Sequence, residues 1–496
     1  MEISEKNKNT IAKSLFWKGV ENGGDQVITF LVSIVLARLL GPEKYGTLSV
    51  MLVFISISNV VIQSGFQTAL IQKREVAEED LSSVFFMGLF ISALLYLLIW
   101  LIAPASADFF GDTEIAPMLR LLSVILFFGA VTSVETAIVA RRMDFKAQCI
   151  ATLAADMVSG AIGIVLAFRG YGTWALIWQQ ILKNLTLMVL LIILIGWRPE
   201  FCFDWGRLGE LFSYGWKVLL SGLIDTIYNN VYTPVISKLY SPVMVGYYNR
   251  GNQFPQIIAN SVGQTMQSVM LPAYSGLQDK KDELKALLRR TIKLSCFLMF
   301  PMMAGLAAVS EDLLGALLGE AWLPAASLLS LCCLSYMVWP MHVSNIQAIN
   351  AQGRSDIYLK LEVIKKLLGI MVLILSAPLG ITAMIGLKGV SDIICTFING
   401  GPNARLLSYG PLKQWRDVLP ELMLSIVMGI LVYLFGGFLR EMEVLFGLSG
   451  ELKIIVSLAL QVLLGAGIYM AGALMLRFES LSFLMEKLRP ANVRGM

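Results

Sequence analysis

Apolar stretches long enough to cross a bilayer recur along the whole chain. A helix needs about 20 mostly apolar residues to span the hydrocarbon, and about fourteen segments meet or approach that length. They run 15–38, 45–70, 81–103, 116–139, 148–168, 172–196, 211–237, 243–272, 291–309, 323–350, 358–377, 380–399, 418–438 and 453–476. The first, seventh, eighth and tenth are the weakest, because they carry Gly, Asn, Gln and charge. Such a series leaves too little polar surface for a soluble fold of 496 residues, of which only 15% are charged. A soluble domain carries about 25% charged residues. Lipid as solvent removes the need for polar cover but requires every backbone group to be paired internally, which points to an all-α integral membrane protein.

Lys and Arg of membrane proteins concentrate in cytoplasmic loops. Here they fall before helix 1 (Lys6, Lys8, Lys13), after helix 2 (Lys73, Arg74) and after helix 4 (Arg141, Arg142, Lys146). A dense run follows helix 8 (Lys280 to Lys293), and the C-terminal tail adds Arg489 and Arg494. The alternate loops are poor in cations: 104–114 and 310–322 hold none. An unbroken alternation predicts an even helix count with both termini in the cytoplasm. The net charge is only +4 and the cations form no single stripe, which excludes a nucleic-acid partner. The six cysteines show no CxxC pairing and are expected to be buried free thiols, and the single histidine, His342, argues against histidine-based catalysis. No phosphate loop, nucleophile elbow or zinc-protease motif occurs, so the chain is not expected to be an enzyme.

The chain also repeats itself. Ser14, Trp17, Lys18 and Gly23 match Ser213, Trp216, Lys217 and Gly222. Arg38, Pro42 and Gly46 then match Lys238, Pro242 and Gly246, and RRMDFK (141–146) echoes GRSDIYLK (353–360). Six helices separate the copies, so both start on the same side of the membrane, as in parallel-repeat transporters. The expected organisation is an N-terminal lobe of helices 1–6 (1–200), a C-terminal lobe of helices 7–12 (201–410), and helices 13–14 with a cytoplasmic tail (411–496).

A charge at the bilayer centre costs at least about 2.5–3.5 kcal/mol, so it usually faces an internal cavity. Glu21 and Asp25 share one face of helix 1 and, with Asp225 on helix 7, are candidates for coupling to Na⁺ or H⁺. The plain alternative is a solvated Glu21 and an Asp25 paired with a lysine. Arg250, with Asn249 beside it, and Lys183, with Gln180, are candidates for an anionic substrate. Their alternative is an ion pair with Asp225 or Asp156. No other cofactor is expected.

The stretch SLFWKGVENGGDQVITFLVSIVLARLLGPEKYGTLSV, and within it ARLLGPEKYGTLSV above all, resembles the opening of Wzx-type polysaccharide flippases. GFQTALIQKREV, RRMDFKAQ and GYGTWALIWQQI fit the same family, on the branch with colanic-acid-type and teichuronic-acid-type exporters. The resemblance fades in helices 13 and 14. It implies translocation of undecaprenyl-pyrophosphate-linked oligosaccharide repeat units from the cytoplasmic to the outer leaflet of a bacterial inner membrane, by two lobes around a central cavity. The partners it implies are the lipid-linked oligosaccharide and membrane lipids, with a polysaccharide polymerase and glycosyltransferases as further candidates. In the related lipid II flippases basic residues on the first and eighth helices line the cavity, a position class that Arg250 matches. Helix 1 departs from that pattern, since beyond Lys18 its polar residues are mainly acidic, and Lys183 is then the substitute. The competing reading is a drug/cation antiporter of the MATE type, which predicts acidic cavity residues without basic ones.

Overall fold

The structure is a computed structural model that describes residues 5–63, 65–441 and 451–488. Arg489 and Arg494 lie outside the described residues, as do the side chains of Lys6 and Lys8. Every regular element among the described residues is helical. The chain forms two compact units, 1–246 and 247–496.

The first unit begins with α1 (Glu5–Gln63), which joins the first two predicted helices into one element broken at Gly41. Gly41 has φ 73°, a conformation that side-chain-bearing residues rarely adopt, and Pro42 restarts the helix beyond it. There follow α2 (Phe66–Gln72), α3 (Glu78–Phe110), α4 (Ile115–Leu122), α5 (Ile125–Arg142), α6 (Phe145–Phe168), α7 (Thr173–Ile195), α8 (Trp205–Asn230) and α9 (Tyr232–Leu239). The unit boundary falls inside α10 (Pro242–Ser275). The second unit continues with α11 (Lys281–Ala308), α12 (Ser310–Leu318), α13 (Ala325–Met337), α14 (Trp339–Ala351) and α15 (Ser355–Ser376). It closes with α16 (Ile381–Leu406), α17 (Pro411–Glu441), α18 (Glu451–Met475) and α19 (Glu479–Leu488).

Ten helical stretches among the described residues are long and apolar enough to cross a membrane. α8, α10 and α15 are not among them. The seventh and eighth predicted helices are thus weak as expected. The tenth is not: 325–351 qualifies, and the eleventh fails in its place because α15 carries Lys360, Glu362, Lys365 and Lys366. Two segments expected as outer loops are also partly helical. α3 runs through Pro104 to Phe110, and 310–318 forms α12.

The distribution of apolar surface is that of a protein dissolved in lipid. In the most apolar windows of α3 and α18 only 17% is buried inside the protein. Leu97, Leu98 and Leu101 on α3 and Leu463 and Leu474 on α18 stand exposed. Water would not tolerate so large an apolar face, whereas the bilayer matches it. The chain is a multi-pass membrane protein. Each unit has its own interior. Leu36, Met51, Leu119, Leu122, Leu126 and Leu176 centre the first. Leu284, Leu288, Ile292, Phe300, Met341 and Val418 centre the second.

Several basic residues in loops and at helix ends have structural work. Arg141 donates to the carbonyls of Leu70 (2.9 Å), Ile71 (3.3 Å) and Lys73 (2.5 Å) and caps the C-terminal end of α2. Lys73 pairs with the buried Asp80 at 2.9 Å. In the second unit Arg440 pairs with Glu311 (2.6 Å) and Asp312 (3.1 Å), and Gln461 donates to Asp312, tying α17 and α18 to α12.

The short helix α19 is held at its start. Phe478 and Leu481 pack into the core around Phe297 and Tyr469, and Glu479 accepts from Lys293 at 2.9 Å. That ammonium holds the Glu479 carboxyl below its usual value. A carboxylate with a depressed folded pKa contributes stability above its unfolded pKa, and loses it as pH falls through the folded value. The protection factors of the 479–488 amides, exchange rates corrected for their intrinsic pH dependence, should therefore stay constant from neutral pH down to about 4.3, the ordinary glutamate pKa, and fall only below it. A fall already between pH 6 and 5 would show that the Lys293 contact does not hold the helix.

Candidate functional site

Close packing of α1, α6 and α7 sets the polar centre of the first unit. A Cβ on Gly160 would come within 2.5 Å of Val32, and one on Gly24 within 2.7 Å of Leu153. Small residues let membrane helices approach closely, and here they bring α1 and α6 together around the next polar positions. Asp25 follows Gly24 on α1. Asp156 lies between Leu153 and Gly160 on α6. Lys183 reaches them from α7.

The three form a triad. The Lys183 ammonium is 2.6 Å from Asp156 Oδ1 and 3.1 Å from Asp25 Oδ1. Asp156 is the buried member, with a side chain 2% exposed against 29% for Lys183 and 37% for Asp25. Thr29 donates to Asp25 at 3.5 Å. Two carboxylates share one ammonium, so the group has a formal charge of −1 when all three are ionised. It can therefore take up one more cation or one proton without leaving a surplus.

Glu21 does not join them. It is buried, 2.9 Å from the Lys18 ammonium, and accepts from Gln148 at 3.0 Å, a tie between α1 and α6. Asp225 is exposed on α8 and does not contact Lys183. Gln180 is half-buried, one turn before Asn184, which donates to its carbonyl at 2.9 Å.

In the second unit Arg250 is buried on α10, 5% exposed. Its guanidinium donates to Gln253 at 2.6 Å and lies 5.7 Å from the centre of the Trp322 ring, within cation–π range. The next residue explains the burial: a Cβ on Gly251 would come within 2.8 Å of the Leu329 nitrogen, so α10 sits directly on α13. Asn249 is half-buried beside it. Lys388 and Asp392, also inside the membrane region, satisfy each other at 2.9 Å. The His342 ring reaches Asn399 through Nδ1 (2.8 Å) and the Asp392 carbonyl through Nε2 (3.1 Å), so both ring nitrogens are engaged inside the protein.

Of the sequence candidates, Asp25 and Lys183 meet in the triad and Arg250 is buried in the second unit. Asp156, expected only as an alternative partner of the cations, pairs with Lys183, as the rule that buried charges are paired requires. Trp322 ends the stretch 310–322, for which the lack of cations predicts an outer loop. Its one sequence signal is a large aromatic three residues after Gly319 in a stretch without lysine or arginine.

The family described as "Polysaccharide biosynthesis protein" matches residues 35–327, more than half of the chain. The succinoglycan biosynthesis transport protein ExoT of Rhizobium meliloti is 25% identical over 329 residues, covering 66% of this chain and 67% of its own. The lipopolysaccharide biosynthesis protein WzxC of Escherichia coli is 21% identical over 413 residues, covering 80% and 83%. Among solved structures, the lipid II flippase MurJ in an inward closed conformation superposes with a TM-score of 0.73 at 15% identity, covering 93% of this chain and 99% of that one. That likeness establishes a shared fold. On the family match and these relatives, the chain belongs to the polysaccharide biosynthesis protein family, among its Wzx-type members.

Proposed function

We propose that the protein is a flippase that moves undecaprenyl-pyrophosphate-linked oligosaccharide repeat units from the cytoplasmic to the outer leaflet of a bacterial inner membrane, with both termini cytoplasmic, by cation-coupled alternating access. Likeness to a succinoglycan biosynthesis transport protein and to a lipopolysaccharide biosynthesis protein supports the cargo class. The observation that carries the site is the buried Arg250. A guanidinium held inside a membrane protein against Trp322 presents a planar fork that matches phosphate oxygens. Asn249, the preceding residue on α10, is half-buried and could serve sugar hydroxyls on the adjoining face.

The triad of Asp25, Asp156 and Lys183 suits the coupling step. Its ammonium already serves two carboxylates, so it is poorly placed to hold a pyrophosphate as well. Uptake and release of Na⁺ or H⁺ there would give the two transport states different affinities, which any ligand-driven switch requires. Glu21, tied to Lys18 and Gln148, and the exposed Asp225 fall outside this reading.

Arg250→Ala should abolish export of the polysaccharide while folded protein persists in the membrane, and lipid-linked repeat units should accumulate on the inner leaflet. Arg250→Lys, which keeps the charge but not the fork, should retain a small fraction of export. Normal export by Arg250→Ala would overturn the assignment. The acidic triad is also what a drug/cation antiporter would need. That reading predicts extrusion of cationic dyes against a cation gradient, unaffected by Arg250→Ala.

A further inference from the structure

One basic cavity lies outside the candidate functional site. It has a volume of about 690 Å³ and is walled by the first turns of α11 and by α19. Lys285, Arg289, Arg290 and Lys293 contribute four cations, against two carboxylates from Asp282 and Glu479. Two of the cations are committed to structure. Arg289 makes a paired contact with Asp417 (2.9 and 3.2 Å) and also lies 3.5 Å from Glu479. Lys293 is 2.9 Å from Glu479. The other two are not balanced in this way. Lys285 forms no ion pair among the described residues, and the Arg290 guanidinium lies over the face of Phe483 on α19. Ser480, 3% exposed, adds a hydroxyl to the wall.

The surroundings decide what anion such a cavity takes. Leu294 forms its inner wall, and on the next turns α11 exposes Leu298 and Met302, 47% and 44% accessible, on an apolar groove of about 490 Å³. Cations therefore meet lipid-facing apolar surface within two turns of one helix. That is the profile of a membrane–water interface, where a phosphate head and acyl chains are met together. At the start of α19, Leu481 is buried, as is Phe478 just before the helix, and Ser482 is exposed, the two-sided pattern of a helix that lies along an interface.

We propose that the cavity between α11 and α19 is a binding site for the phosphate headgroup of an anionic phospholipid, contacted by Lys285 and Arg290, with the acyl chains along Leu298 and Met302. Bound lipid clamps α19 to α11. This rests on the membrane reading of the chain and not on its cargo.

The test uses the full chain purified in a zwitterionic detergent. Short-chain phosphatidylglycerol, phosphatidylcholine with the same chains, and inorganic phosphate are titrated in turn, and Tm is followed. Phosphatidylglycerol should raise Tm, and the other two should not. Lys285→Gln/Arg290→Gln keeps both side-chain stems and should weaken the apparent Kd for phosphatidylglycerol at least tenfold. Lys360→Gln/Lys413→Gln, which removes two exposed cations elsewhere, should leave it unchanged. An equal response of both double variants overturns the site. An equal response of the unsubstituted protein to inorganic phosphate overturns the lipid and leaves a soluble-anion pocket.

Discussion

Lys183→Ala should be among the most destabilising single substitutions in the first unit, lowering stability by about 3 kcal/mol. Removing one partner of a buried ion pair costs about 3–5 kcal/mol, because it strands the other charge in a medium that cannot solvate it. The stranded group is Asp156, whose side chain is 2% exposed and whose contact with Lys183 is 2.6 Å. The lower end of the range applies because Lys183 itself keeps 29% exposure, so some solvent reaches the site. Asp25, at 37% exposure, would be left as a second carboxylate beside the first, and their repulsion adds to the cost. The sign can be checked by a second substitution. Asp156→Asn on the Lys183→Ala background removes the stranded charge and should recover most of the lost Tm, although Asp156→Asn alone should lower it. Thermal unfolding of the four proteins in the same detergent gives the coupling directly. Additive effects would mean that the two side chains do not meet. Export should fail in Lys183→Ala even at temperatures where the protein remains folded, if the triad carries the coupling cation.

The triad shows what the sequence could and could not disclose. That Asp25 and Lys183 lie inside apolar segments is visible without coordinates, and the cost of burying charge already demands partners for them. Which partners they take depends on how α1, α6 and α7 cross. That crossing is set by Gly24 and Gly160 against Leu153 and Val32, contacts between residues more than a hundred positions apart. The i, i+4 rule pointed instead to Glu21 as the companion of Asp25, because it knows only one helix. Glu21 in fact turns to Lys18 and Gln148. Helix edges failed for a similar reason. The cation-poor stretch 104–114 predicts an outer loop, but a lipid-exposed helix keeps its backbone hydrogen bonds wherever it can, and α3 continues through Pro104 to Phe110. Arg250 was legible as a buried cation. Its seat was not, since Trp322 belongs to a segment with no helical periodicity to place it.

Gly46→Val and Gly246→Val should each disrupt the first unit severely, because these two residues pack reciprocally. A Cβ on Gly46 would overlap the carbonyl oxygen of Pro242, and a Cβ on Gly246 would overlap that of Pro42. These are the four residues that the internal repeat pairs, Pro42 with Pro242 and Gly46 with Gly246. Equivalent turns of the two repeats therefore meet face to face, each glycine opposite the other's proline. Overpacking a core costs about 1–3 kcal/mol when side chains can shift aside. Here the obstructing atoms are backbone, so no rotamer change relieves the overlap, and the part of α1 beyond Gly41 must separate from the start of α10. The cost should lie at or above the top of that range. Even alanine at either position should lower Tm, whereas Gly23→Ala should not. A Cβ on Gly23 meets nothing within 4 Å, and exchanging glycine for alanine inside a helix gains up to about 1 kcal/mol. The comparison separates close approach from helix propensity, since all three glycines are helical. If Gly46→Ala and Gly246→Ala melt with Gly23→Ala at or above the unsubstituted protein, the reciprocal contact does not hold the fold. If each is destabilised and the double variant loses little more than either single one, the two glycines act at one shared contact, and the echo between Pro42–Gly46 and Pro242–Gly246 marks the place where the repeats touch.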